Sequence, residues 1–170
     1  IDNLASGEGF QIDGKEGSHT GWSLSAGGDV NGDNFDDLIV TSPDDEVVPI
    51  GANYGRVSAA YVVFGGSSPT DLSLDNLDSR GFRLFTSSRY IMYGPNVAGI
   101  GDINNDGLGD ISIGTAATYG PAQPAPGRIW TVFGKTDTNE VDLEDMGSEG
   151  TTITSTALDD GFASLIAKDS

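Results

Sequence analysis

Two nine-residue segments of the chain, 29–37 and 102–110, concentrate oxygen-bearing side chains at a regular spacing. Both fit the pattern D-x-N-x-D-[GN]-x-x-D, with Asp or Asn at positions one, three, five and nine. Calcium is a hard cation that takes about six to eight oxygen ligands, and a tight turn brings alternate side chains around one point. The pattern therefore predicts two calcium sites. Their side-chain ligands would be Asp29, Asn31, Asp33 and Asp37 in the first, and Asp102, Asn104, Asp106 and Asp110 in the second.

The backbone of these segments, which we call loop one (29–37) and loop two (102–110), is expected to contribute as well. Position six must tolerate a positive φ, which Gly107 does without strain and Asn34 does acceptably. The backbone carbonyl at position seven then turns inward as a further ligand, from Phe35 in loop one and from Leu108 in loop two. The Asp at position nine begins the next predicted strand.

Other interpretations of the loops are open to comparison. An EF-hand would need a bidentate Glu at position twelve and flanking helices, whereas position twelve is Val40 in one case and Ile113 in the other. The pattern D-x-N-x-D also forms Asx-turn connectors that hold no ion. Calcium is favoured because the pattern occurs twice and because clustered carboxylates without a counter-charge repel each other. Magnesium fits less well, since it demands a smaller octahedral shell.

The two loops recur at the same phase of an internal repeat. Asp29 and Asp102 lie 73 residues apart, and GRVSAAYVVFGG from Gly55 resembles GRIWTVFGK from Gly127. The lead-in segments IDNLASGEGF, LDNLDSRGF and VDLEDMGSEG also match one another. The chain therefore divides into two full repeat units and the start of a third. These units are residues 1–73, 74–140 and 141–170.

Each full unit contains four short runs that are rich in β-branched and aromatic residues and bounded by Gly, Asn, Asp or Pro, as strands are. No long window shows a helical apolar period. Four strands per repeat are typical of β-propeller blades, so we predict an all-β fold of four-stranded antiparallel blades. Two blades do not close a ring, which makes the chain part of a longer ring or a subunit of a homo-oligomer. The runs cover residues 10–13, 22–26, 37–41 and 57–64, then 82–86, 96–100, 110–115 and 128–133.

The composition excludes several functions. The chain of 170 residues carries 26 acidic and eight basic side chains, for a formal net charge of -18. Binding to nucleic acid or to an anionic membrane is therefore disfavoured, and no apolar run approaches the ~20 residues that span a bilayer. Cysteine is absent and His19 is the single histidine, which excludes disulfides, thiolate metal sites and a His-rich zinc site.

The chain resembles FG-GAP repeats, the blades of the integrin α-subunit β-propeller and of its bacterial relatives, and it looks like a bacterial-type member. In that family a calcium loop D-x-[DN]-x-[DN]-G-x-x-D-L links two strands of a blade, and residues 29–38 and 102–111 are similar to it. The sequence departs from the family in having Asn34 in place of the usual Gly and two full blades in place of a seven-bladed ring. The remaining matches are Thr41-Ser42-Pro43 and Gly114-Thr115-Ala116 to the GAP tail, and Phe64-Gly65 and Phe133-Gly134 to the FG ending.

The resemblance implies a function as well as a fold. It implies a calcium-dependent adhesion or recognition scaffold, secreted or at the cell surface, that is not an enzyme and that binds a protein or glycan partner. Two alternatives remain, namely a non-catalytic accessory module of a larger secreted enzyme and a lectin-like propeller that binds glycans.

Weaker features are interpreted more simply. We expect His19 to be a loop residue, and the acidic runs at residues 44–46 and 159–160 to be solvated turns rather than further cation sites. Residues 43–55 and 121–126 are expected to form long loops, which often carry function, and are candidate partner surfaces. The aromatic residues that we expect in the core are Trp22, Tyr61, Phe64, Trp130 and Phe133.

Overall fold

The computed structural model describes residues 9–50, 53–86, 96–115 and 126–158, and these form β-strands and turns without any helix. The all-β prediction is confirmed. Since the described residues are free of helices, none of them forms a helix that could cross a membrane. The strands are β1 (Ile12–Asp13), β2 (Leu24–Gly28), β3 (Asp37–Ile50), β4 (Asn53–Val63), β5 (Leu72–Ser73), β6 (Gly81–Phe85), β7 (Asn96–Gly101), β8 (Asp110–Thr115), β9 (Pro126–Val132), β10 (Val141–Asp142) and β11 (Gly150–Leu158).

Two antiparallel sheets repeat the same arrangement. The first contains β2, β3, β4 and β6, with the short β10 added in parallel at its outer edge. The second has the order β11-β9-β8-β7 and is antiparallel throughout. Their registers agree, since Leu24 lies opposite Val40 in the first sheet and Val97 lies opposite Ile113 in the second. The two sheets are consistent with neighbouring propeller blades.

The sheets group the strands in a different phase from the sequence units. The predicted run at residues 82–86 opens the second unit, yet β6 pairs with β4 and completes the first sheet. In the same way, β11 follows the second unit and completes the second sheet through β9. The expectation that the four runs of one unit form one blade is therefore wrong by one strand. A sequence repeat shows the period of a fold but not the strand at which each sheet begins. The repeat boundaries at residues 73 and 140 stay a prediction.

A core of buried apolar side chains lies between the two sheets. Alternate side chains of a strand point to opposite faces, and the apolar members of each sheet face the other sheet. Burying each large side chain fully contributes about 1.5–3 kcal/mol, so this interface stabilises both sheets together. The cluster contains Val30, Ile39, Ala60, Val62, Phe82, Leu84, Val97, Ile111, Ile113, Trp130, Val132, Val141, Leu143 and Met146.

A second, smaller core covers the opposite face of the first sheet. Val40, Tyr61 and Val63 of β3 and β4 are nearly inaccessible there. Leu72 and Leu74, from the segment that contains β5, pack over them. That segment is held in parallel to β1, with Ile12 opposite Leu72. The β3 and β4 part of the first sheet is therefore covered on both faces, whereas Leu24 of β2 is 59% exposed.

The inner strands β2 and β7 approach closely and both end in a bulge. A Cβ added to Gly99 would lie 2.5 Å from the carbonyl oxygen of Ala26, so only glycine fits at that crossing. The pairing shifts register between Ala26 and Gly28 and again between Gly99 and Gly101. Gly28 (φ 72) and Gly101 (φ 73) both take the left-handed conformation that a glycine adopts freely. Each bulge turns the chain directly into a predicted calcium loop.

Candidate metal sites

Loop one connects β2 to β3, and its backbone amides converge on its own carboxylates. Asp29 accepts hydrogen bonds from the N–H groups of Gly32 (2.7 Å), Asp33 (2.9 Å) and Asn34 (2.8 Å). The side-chain oxygen of Asn31 accepts a second bond from the Asp33 amide at 2.9 Å. Asp33 in turn accepts from the Phe35 amide at 2.9 Å. The loop is therefore wound around the side chains at positions one, three and five.

Loop two connects β7 to β8 and repeats four of these five hydrogen bonds of loop one. Asp102 accepts from the amides of Asp106 (3.1 Å) and Gly107 (2.9 Å). Asn104 accepts from the Asp106 amide, and Asp106 accepts from the Leu108 amide, both at 2.9 Å. Two sequences that differ at positions two, four, six, seven and eight thus share four of these hydrogen bonds, and loop one adds a fifth from the Gly32 amide to Asp29.

Positive φ angles close both turns. Asn34 (φ 69) and Gly107 (φ 91) confirm the prediction for position six. Position four is left-handed as well, with φ 81 at Gly32 and φ 60 at Asn105. The sequence analysis missed position four, although its residue types, Gly and Asn, are those that tolerate this conformation.

The Asp at position nine is the most buried acidic residue of each loop. Asp37 is 2% exposed and Asp110 is 0% exposed. The two oxygens of Asp37 accept from the amides of Val30 and Gly65, both at 2.8 Å. The oxygens of Asp110 accept from the amides of Ile103 (2.8 Å) and Gly134 (2.9 Å). Each of these side chains therefore ties its loop to the FG ending of the same sheet.

The surroundings of Asp37 raise the pKa of its carboxyl above the ordinary value. Burial raises the pKa of the Asp37 carboxyl, the amides of Gly65 and Val30 lower it, and the negative charges of Asp33 and Asp29 raise it again, with a net upward shift. Within the described residues, the carboxylate of Asp37 accepts hydrogen bonds from backbone amides rather than from cationic side chains. A cation in loop one would relieve this repulsion.

The donor atoms are oxygens of the type that calcium binds, although they do not surround a common point in this structure. Among the described residues, no three His, Cys, Asp or Glu side chains converge as a ready-made metal site. Their oxygens are instead occupied by loop amides. An ionised carboxylate has about four lone-pair positions, so an oxygen that accepts one amide retains capacity for a cation. The donors are all oxygen, which suits a hard cation such as calcium and not zinc.

A cavity of about 200 Å³ opens beside loop one, against Asn31 and Asp33. The repeat explains its presence, because Gly66 in the first unit occupies the position of Lys135 in the second. Lys135 fills its own site by donating to the Asn139 carbonyl at 3.0 Å. In the first unit, Thr70 occupies the position of Asn139, and its carbonyl accepts instead from Arg80 at 2.9 Å. The cavity thus lies where a lysine side chain is missing.

A buried charge cluster lies away from the loops, around Asp45. Arg83 donates to Asp45 through Nε (3.0 Å) and Nη2 (2.7 Å), and Lys15 donates at 3.2 Å. The Tyr61 hydroxyl donates to the other carboxylate oxygen at 2.5 Å. The expectation of a solvated acidic turn at residues 44–46 is wrong for Asp45, which is 5% exposed. Its partners are far away in sequence, so no local pattern indicated them.

The other predicted features have mixed outcomes. His19 lies in a loop with φ 55, as expected, and its Nδ1 contacts Asp44 at 2.6 Å. Residues 43–55 are mostly strand rather than loop, because β3 and β4 extend to Ile50 and from Asn53. The Val-Val pair at 47–48 favours this extension. Residues 121–125 and 159–160 lie outside the described residues.

The aromatic residues divide between the core and the surface. Tyr61 and Trp130 are each 1% exposed and confirm the core prediction. Phe64 is partly buried and contacts Phe82 edge to face, with ring centroids 6.0 Å apart. Trp22 is 63% exposed, so the core prediction is wrong for it. Trp22 precedes β2, at the edge of the first sheet that no described strand covers.

The fold and the loops define an all-β protein in which each blade-like sheet carries an Asp-rich loop between two neighbouring strands. Residues 20–63 match the family described as FG-GAP repeat. This match contains loop one and the strands β2, β3 and β4, and confirms the predicted family for this part of the chain, an FG-GAP repeat of an integrin-like propeller module. No curated protein matches the chain in sequence.

Proposed function

We propose that the chain is a calcium-binding propeller segment that serves as a secreted or cell-surface adhesion and recognition scaffold. The observation that carries the proposal is the pair of buried Asp residues at position nine. Asp37 and Asp110 each lie in a loop with two further carboxylates among the proposed ligands, and their oxygens accept hydrogen bonds from backbone amides. Where the described chain buries another Asp, Asp45, it supplies Arg83 and Lys15. The contrast supports an external cation at the loops.

The proposed ligands in loop one are Asp29, Asn31, Asp33 and Asp37 with the carbonyl of Phe35. Those in loop two are Asp102, Asn104, Asp106 and Asp110 with the carbonyl of Leu108. A bound calcium supplies positive charge and cross-links each turn. The proposed ligands hold each loop in place. Because the Asp at position nine is the first residue of β3 or β8, they also fix where a central strand begins.

The proposed role of calcium is structural. An ion that binds only the folded state stabilises it by RT ln(1 + [L]/Kd), about 2.7 kcal/mol per site at a hundredfold excess over Kd. Extracellular calcium modules have Kd values of about 10⁻⁴–10⁻³ M, so millimolar calcium outside a cell would occupy the loops. An affinity in this range would match the calcium concentration outside a cell, which is the reason that the proposal includes a secreted or surface location.

Calorimetric titration of the chelator-treated chain tests the metal. We expect about two calcium ions per chain, one ion for Asp33→Ala or Asp106→Ala, and none for the double variant. The control is Asp36→Ala, which removes an exposed carboxylate from loop one that is not a proposed ligand. Loss of binding by the control alone, or no heat at millimolar calcium in the unmodified chain, would contradict the proposal.

The partner is proposed to be a protein rather than a glycan. Glycan binding in a lectin-like propeller would need accessible aromatic rings, and of the five candidate aromatics only Trp22 is exposed by more than half. A glycan array, run with calcium and with chelator, checks this point. Calcium-dependent glycan binding that Trp22→Ala abolishes would favour the lectin alternative.

We propose no catalytic role and infer a bacterial-type member of the family. An accessory module of a larger secreted enzyme would use the same calcium chemistry without catalysis. The single histidine contacts Asp44 at the surface, with 63% of its side chain exposed. That setting supports a loop contact rather than a catalytic base.

A further inference from the structure

The two proposed calcium loops contact each other directly. Gly109, at position eight of loop two, donates its N–H to the carbonyl of Asp29 at 2.6 Å. Leu108 lies against Gly32, where an added Cβ would lie 2.9 Å from Leu108 Cδ2. Asp29 and Leu108 are themselves proposed ligands. The backbone that presents ligands in one loop is therefore supported by the other loop.

A second connection joins the buried acids at position nine. The Val30 amide donates to Asp37 at 2.8 Å, and the Val30 carbonyl accepts from the Lys135 amide at 2.9 Å. The preceding residue, Gly134, donates its amide to Asp110 at 2.9 Å. Three hydrogen bonds donated by backbone amides, connected through Val30 and Gly134, thus link the carboxylate of Asp37 to that of Asp110. Val30 is 1% exposed, so this link is shielded from water.

We propose that the two loops bind calcium with positive coupling, so that an ion in either loop raises the affinity of the other. The inference rests on the proposed calcium function. A cation in loop one restrains Asp29 and Asp37, and these are the residues through which loop one holds loop two. Coupling between sites is reciprocal, so an ion in loop two restrains the same contacts from the other side.

The contact is asymmetric at position seven, which supplies a matched pair of variants. Leu108 is part-buried against loop one, whereas its counterpart Phe35 is 42% exposed. Leu108→Ala should therefore weaken the coupling while leaving its backbone carbonyl in place. Ile103→Ala truncates a side chain of loop two that is 53% exposed and belongs to no proposed ligand, so it should leave the coupling unchanged.

Electrostatics acts in the opposite direction. An ion in one loop reduces the negative potential that attracts an ion to the other loop. Salt screens that effect, since the Debye length falls from about 8 Å at 0.15 M to about 3 Å at 1 M. Coupling through backbone contacts is not screened in this way. The measured positive coupling should therefore grow as the salt concentration rises.

Calcium titrations of five chains test the proposal. Asp33→Ala reports the association constant of loop two alone, and Asp106→Ala reports that of loop one alone. In the unmodified chain we expect the overall two-ion constant to exceed the product of these two by at least about fivefold. Gly109→Ala should bring this ratio towards one while both ions still bind, because its Cβ would lie 3.1 Å from the Gly27 carbonyl and 3.2 Å from that of Asp29. Gly66→Ala, which adds a Cβ with nothing within 4 Å, is the control.

The outcomes separate the coupling from the function. Suppose that two ions bind and that the overall constant is close to the product of the two single-loop constants, both at about 0.15 M and at about 1 M salt. That result would overturn the coupling and leave the calcium proposal standing. No binding in the unmodified chain would overturn both. If a single-loop variant fails to fold, judged by circular dichroism, the Hill coefficients of the unmodified, Gly109→Ala and Gly66→Ala chains replace the ratio. Equal coefficients in the three chains would then contradict the coupling.

Discussion

Individual Asp residues act in two different ways in this chain. In the loops, Asp29 and Asp33 accept hydrogen bonds from amides two to five residues further along. Asp45 instead meets Lys15, Tyr61 and Arg83, which lie 30, 16 and 38 residues away. The first kind is visible in a sequence because the geometry is local. The second kind depends on which strands become neighbours, so the sequence analysis assigned Asp45 to a solvated turn.

Removing the Asp45 carboxylate should be strongly destabilising. In Asp45→Ala the guanidinium of Arg83, whose side chain is 14% exposed, loses the carboxylate oxygen to which both its Nε and its Nη2 donate. Breaking a buried ion pair by removing one member typically costs about 3–5 kcal/mol. Glu46→Ala is the control, since its side chain is 55% exposed, and should change stability by no more than about 0.5 kcal/mol. Urea unfolding of both variants measures the difference, and equal stabilities would show that the cluster is not stabilising.

Tyr61 should make stability fall at alkaline pH. Burial, followed by the hydrogen bond to Asp45, raises the pKa of the Tyr61 hydroxyl far above its ordinary value of 10.0. Above about pH 10 the unfolded chain loses this proton while the folded chain retains it, so folding is disfavoured progressively. Melting temperatures from pH 8 to 11 should therefore fall more steeply for the unmodified chain than for Tyr61→Phe. Parallel curves would contradict the assignment.

At the scale of the elements, the central strands could be predicted and their grouping could not. The strands at residues 37–41 and 110–115 could be predicted because these runs are rich in β-branched residues, which favour strands. Each run also follows directly from an Asp-rich loop. The outer strand β6 belongs to the next sequence unit, because pairing across a sheet depends on the path of residues 64–80. The bulges at Gly28 and Gly101 were missed as well, although a glycine within a strand often marks one.

The crossing of β2 and β7 should depend on Gly99. A Cβ at this position would lie 2.5 Å from the Ala26 carbonyl and 2.9 Å from the Gly27 backbone, so the inner strands would have to separate. Overpacking of this kind typically costs about 1–3 kcal/mol. Gly66→Ala, in open space, is the matched control and should be nearly neutral. Thermal unfolding of the two variants provides the comparison, and an unchanged melting temperature for Gly99→Ala would mean that the strands do not touch as described.

At the scale of the whole molecule, each sheet packs one face against the other sheet. Within the described residues, the equivalent positions on the outer faces of the pair have no sheet to pack against. Leu84 in β6 is 0% exposed because the second sheet covers it. Its equivalent in β11, by register, is Ile153, which is 55% exposed. At the other end, Leu24 is 59% exposed although its equivalent, Val97, is 7% exposed. The described sheets therefore expose the positions that they bury between themselves, as expected of a propeller segment.

This equivalence predicts paired results for truncation to alanine. Leu84→Ala should destabilise the chain by about 2–5 kcal/mol, as core truncations do. Ile153→Ala should change stability by no more than about 0.5 kcal/mol if its face is open in solution. Denaturant unfolding at several protein concentrations measures both. A cost at Ile153 that rises with protein concentration would mean that a second copy of the chain covers this face. A large cost at every concentration would mean that residues of the same chain cover it.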